Sequence, residues 1–82
     1  MKFHEMYLDE GTNSDGAKWK GMRSKITDEF DGPQRQMNPN GDIMLTTWKN
    51  GVKQGLSVTA EKDEIEIYIE LDNKTIFNMN FD

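Results

Sequence analysis

Two Asn-Gly dipeptides, Asn40-Gly41 and Asn50-Gly51, bracket a stretch about as long as one strand, residues 42–49. Both central positions of a type I′ turn need positive φ, which Asn and Gly adopt at low cost, so each dipeptide predicts a two-residue hairpin turn. Trp48 precedes the second turn and Gly55 follows it by four residues. A segment punctuated this closely cannot continue as a long helix. It predicts short antiparallel strands.

Alternation supports that expectation on both sides of the turns. Ile43, Leu45 and Thr47 interleave with Met44, Thr46 and Trp48, and Leu56 and Val58 interleave with Gly55, Ser57 and Thr59. Residues 64–71 give the cleanest strand, with Ile65, Ile67, Ile69 and Leu71 on a side expected to be core and Glu64, Glu66, Tyr68 and Glu70 on a wet side. A turn at Asp72-Asn73-Lys74 leads into a last strand in which Phe77, Met79 and Phe81 oppose Ile76, Asn78 and Asn80. Upstream, residues 1–8 read as an edge strand and residues 9–16 as a polar mobile loop. Residues 17–26 read as a strand rather than a helical turn because of Gly21. Residues 28–39 carry no legible pattern, since Gly32-Pro33 and Asn38-Pro39 break any helix. The fold class expected is therefore all-β: a small antiparallel meander of five to six short strands, stacked as hairpins, in one domain spanning residues 1–82.

The spacing Gly41-x-x-Met44-x-Thr46-x-Trp48-x-x-Gly51-x-x-x-Gly55 resembles the MORN repeat, usually G-x-x-Y-x-G-x-W-x-x-G-x-x-x-G-x-G. Met44, Thr46 and Ser57 depart from it. Gly16-x-x-Trp19-x-Gly21 is similar to the opening of a second unit, which Arg23, Ile26 and Phe30 then leave, and the region around residues 64–74 has lost the glycines. The resemblance covers roughly half of the chain. It implies a non-catalytic array of β-hairpins used in protein assembly, and in some members attributed to lipid contact. On this reading Gly41, Trp48, Asn50, Gly51 and Gly55 are structural: a small residue between positions 44 and 48 makes room for a large ring from a neighbouring strand, and the glycines allow short hairpins to stack.

Composition narrows the functions. At 82 residues the chain buries only about 60% of the surface its unfolded form exposes, too little for a sizeable enclosed catalytic cavity. The net charge of −5 comes from residues 61–82, which hold seven acids and two bases, while the first 60 residues are neutral overall. That balance argues against direct binding to nucleic acid and suits a basic protein partner. There is no cysteine and a single histidine, His4, so thiolate and His-cluster chemistry have no basis; no metal and no cofactor are expected, and the chain is read as not an enzyme. The acidic start lacks the apolar run of a signal peptide, and no stretch approaches the 18 apolar residues of a membrane span. A cytoplasmic, complete chain with at most peripheral membrane contact is expected, and Asn73-Lys74-Thr75 is read as a turn rather than a glycosylation site.

Two surface features are candidate binding sites. Lys18, Trp19, Lys20 and Arg23, with Lys25, form a basic cluster around an aromatic ring, suited to phosphate, anionic lipid or an acidic protein. Glu64, Glu66, Tyr68 and Glu70 form an acidic stripe that could meet a basic surface or keep a sticky strand from pairing at its edge. The function expected is a non-enzymatic interaction or assembly module, homodimeric through sheet edges and exposed aromatics. The rival is a small acidic inhibitor, virally encoded for instance, that presents its carboxylate stripe to a nucleic-acid-binding groove as a charge mimic.

Overall fold

The computed structural model describes residues 5–81, so His4 and the start of the expected first strand lie outside the described residues. Within that range the chain is all-β and antiparallel. Its strands are β1 (Met6–Thr12), β2 (Lys18–Ser24), β3 (Phe30–Met37), β4 (Ile43–Lys49), β5 (Val52–Lys53), β6 (Gly55–Ala60), β7 (Ile65–Leu71) and β8 (Lys74–Phe81). They form one open sheet in the order β1-β2-β3-β4-β6-β7-β8, and β5 pairs with β4 beyond that path. The sequence expectation of five to six strands is thus corrected to eight, β3 and the two-residue β5 being the additions.

Turn chemistry explains most of this register. Asn50 and Gly51 both take positive φ, 51° and 78°, and join Lys49 to its partner Val52 as expected of a two-residue hairpin. Asp72 and Asn73 do the same between Leu71 and Lys74. The other Asn-Gly step behaves differently. Only Gly41 has positive φ, at 95°; the Gly41 N–H donates to Asn38 C=O (2.9 Å) and the Asn38 N–H to Asp42 C=O (2.9 Å). This is a three-residue loop that ends on a left-handed glycine, with Pro39 at a position suited to its fixed φ. Residues 13–17 repeat it, with Gly16 at φ 90° and matching bonds from Gly16 N–H to Asn13 C=O (2.9 Å) and from Asn13 N–H to Ala17 C=O (2.8 Å). The expected loop over residues 9–16 therefore shrinks to this tight turn, because β1 runs on to Thr12.

β3 hides behind Gly32-Pro33. Between the pairs Gly21↔Gln34 and Arg23↔Phe30, β2 advances one residue beyond Gly21 while β3 passes three, Asp31, Gly32 and Pro33. The bulge falls where proline has no N–H for the ladder, while pairing with β4 stays continuous from Gly32↔Trp48 to Met37↔Ile43.

The sheet is one layer, with extents of 40 × 29 × 19 Å. Among the described residues only Met6 and Ala17 are buried hydrophobics, and no large side chain is fully enclosed. The expectation that the aliphatic side of β7 is core is corrected accordingly: Ile65 and Leu71 remain 45% and 47% exposed, because no second layer of described residues lies over them.

Candidate interaction surface

The antiparallel register sorts the side chains onto two faces with different chemistry. One face carries rings and polar groups. Trp19 and Phe30 meet edge to face at 5.4 Å between centroids, and Phe30 lies 5.5 Å from Trp48 at a tilt of 35°. The Arg23 guanidinium sits 4.1 Å from the Phe30 centroid and 5.5 Å from that of Trp19, and its Nε donates to Asp9 Oδ2 at 2.8 Å. Trp19 lies across Gly11, where an added Cβ would come within 2.6 Å of the indole. The Gln34 stem covers Gly21 in the same way, and its Oε1 accepts the Trp48 indole N–H at 2.7 Å. Ring pairs and cation–π contacts of this kind contribute about 0.5–1.5 kcal/mol each. Their partners are already satisfied within the sheet.

The acidic stripe lies on this ring-bearing face. Glu66, Tyr68 and Glu70 share it along β7, opposite Asn80, Asn78 and Thr75 of β8, and Glu64 sits immediately before the strand. The Tyr68 hydroxyl donates to Glu66, and that hydrogen bond, helped by desolvation and by the carboxylate's charge, pushes the phenol up to about 12. Tyr7 is shifted upward in the same way by its hydrogen bond to Asp28. Ser57 faces this side, buried, and its hydroxyl has no hydrogen-bond partner.

The basic cluster named from the sequence does not stay together. Trp19 and Arg23 join the ring-bearing face, whereas Lys18 and Lys20 point to the opposite one, near Arg35 and Glu10. Lys20 Nζ approaches Glu10 Oε2 at 3.9 Å, an exposed pair of little energetic weight.

Beyond those charged groups, the opposite face is mainly aliphatic. The register Leu8↔Met22, Pro33↔Thr47 and Leu56↔Ile69↔Phe77 draws one row across all seven strands of the path. The Thr47 hydroxyl, the one polar group in that row, is turned aside to donate to Leu56 C=O at 2.8 Å. Beside it run Leu45↔Val58↔Ile67↔Met79. These groups are open to solvent: Leu8 is 58%, Leu56 53% and Phe77 51% exposed. Between the rows lies a shallow groove of about 540 Å³ floored by Leu8, Met22, Pro33, Leu45, Leu56 and Val58. Sequence reasoning did not single these residues out. Their signal was the alternation itself, together with the lack of a second apolar element to lay against it.

Among the described residues no group of three His, Cys, Asp or Glu side chains could hold a metal ion, and no helix is long and apolar enough to cross a membrane. Compared with protein-family models, curated proteins and solved structures, the chain matches none.

Proposed function

We propose that this chain is a non-enzymatic interaction module, a short array of MORN-like hairpins that works by protein contact through its sheet. The observation that supports the reading is the aliphatic row running from Leu8 to Phe77, left open across seven strands. Isolated exposed hydrophobics are ordinary on any protein, but a contiguous patch of this extent marks a contact surface. The hairpins also suit the role, since each one presents the same two faces and adds width to a single surface. The C-terminal edge adds a second point of attachment: residues 75–81 contain no charge and no proline to discourage strand pairing.

The test is selective loss of partner binding. A partner recovered with the wild-type chain is expected to lose at least about 100-fold in affinity to Leu56→Asp, because a carboxylate on the row must be desolvated on contact. Glu66→Lys with Glu70→Lys is expected to leave the affinity within about threefold and weakly salt-dependent. The reverse result, with Leu56→Asp harmless and the double reversal abolishing a salt-sensitive complex, would replace this reading with that of an acidic charge mimic.

A further inference from the structure

We propose that the occupant of the aliphatic face is a second copy of this chain, stacked face to face as the other half of a β-sandwich. This partner serves the interaction role proposed above and rests on it. Size is the first argument. Seven strands about 4.8 Å apart, each about seven residues long at roughly 3.3 Å per residue, make a face of roughly 750 Å². That is close to the ~800 Å² that each partner contributes to an interface of standard size. Covering it with an identical sheet buries both copies' rows at once, and two aliphatic faces pack at a separation of about 10 Å.

Charge is the second argument. β7 keeps its acids on the ring-bearing face, so stacking the aliphatic faces turns both acidic stripes outward, away from each other. Most of the charges on the contact face lie on β1 to β3, at Glu10, Lys18, Lys20 and Arg35, while the face of β6 to β8 is apolar except for Lys74 beside the β7–β8 turn. This asymmetry selects one of the two simple stackings. A two-fold axis between the sheets and perpendicular to the strands would set β1 to β3 on their own counterparts, bringing the mid-strand Lys20 and Arg35 near the same groups of the other copy. An axis parallel to the strands, passing over β4, reverses the strand order instead, so that β2 of one copy lies on β7 of the other.

Lys18 and Lys20 then lay their aliphatic stems along Ile65 and Ile67. The turns after Thr12 and Ala60 stand at the same end of the sheet, so the Lys18 ammonium reaches toward Glu61 and Asp63 of the other copy. The contact is isologous, as a two-fold requires, and Leu45 on the central strand meets its own counterpart near the axis.

Sedimentation equilibrium of the full chain between about 1 and about 300 µM tests this, with a dissociation constant near 10 µM or tighter expected. Leu45→Asp is expected to weaken the dimer about 100-fold, and Asn80→Asp, on the opposite face, to leave it within about twofold. Because the native chain contains no cysteine, Leu45→Cys supplies a single thiol, and a short bismaleimide should link two copies through it. The same reagent should not link Asn80→Cys chains. A monomer at about 300 µM overturns the proposal, as does a link at Asn80→Cys with none at Leu45→Cys, which would place the contact at the β8 edge. A monomer that floats with phosphatidylserine-containing vesicles gives the face to lipid and overturns it equally. A monomeric chain whose unrelated protein partner is still lost with Leu56→Asp removes only the second copy and leaves the interaction module standing.

Discussion

The two ends of this sheet are held together in different ways. From β1 to β4 the packing lies on the ring-bearing face, where Trp19, Phe30 and Trp48 touch in series and Arg23 ties them to Asp9. From β6 to β8 that face carries Glu66, Tyr68 and Asn78, and the large apolar side chains lie on the other side alone. A single layer can add ring packing on its second face in one half and not in the other because nothing obliges successive hairpins to pack the same face. The two regimes join at β5. There the Asn73 side chain accepts the Lys53 N–H at 2.9 Å, and the Asn73 N–H returns to Lys53 C=O at 3.1 Å. The lesson is that the first half carries ring packing of its own on one face, whereas the second has its large apolar side chains on the open face alone.

The sharpest way to break this contrast is to remove a ring. Trp48→Ala should lower unfolding free energy by about 3 kcal/mol in urea denaturation, since it deletes the Phe30 contact and leaves the Gln34 oxygen unmet. A change of less than about 1 kcal/mol would mean that the ring-bearing face does not hold the first half together. Gly51→Val should cost about 2 kcal/mol by the same measurement, because its φ of 78° is strained for a β-branched residue. Asn50→Ala at the neighbouring positive-φ position should cost less than Gly51→Val.

Ser57→Ala works in the opposite direction. It removes a buried hydroxyl without a partner and should raise stability by about 1 kcal/mol, seen as a higher urea midpoint with an unchanged slope. The smallest effect concerns pH. The Tyr68 phenol is pushed up to about 12 from the ordinary 10, so its stabilising contribution is complete below pH 10 and is lost as pH rises through 12. Glu66→Gln should bring the ionisation, followed by ultraviolet absorbance, back toward 10. A phenol that still ionises near 12 would show that the neighbouring carboxylate is not the cause.

Much of the scaffold was legible because β4, β7 and β8 alternate cleanly and because Asn50-Gly51 has one economical conformation. β3 was not, since its Gly32-Pro33 step looks like a break until the bulge opposite Met22 is seen to accommodate it. Asn40-Gly41 looked like its partner dipeptide, yet Pro39 shifts the loop so that only the glycine turns left-handed. The basic cluster was legible as composition but not as geometry. Lys18 and Lys20 have even positions and Trp19 and Arg23 odd ones, so strand periodicity sends them to opposite sides. For the aliphatic row, alternation shows which side is apolar, but only the three-dimensional arrangement shows that the side is open.

The strand order has a kinetic consequence. Every ladder joins strands that are adjacent along the chain or separated only by the two-residue β5, so each contact closes a short loop. Chains with such local pairing pay little entropy before each contact forms, and assembly should zip hairpin by hairpin at rates fast for an all-β protein, without waiting for distant ends to meet.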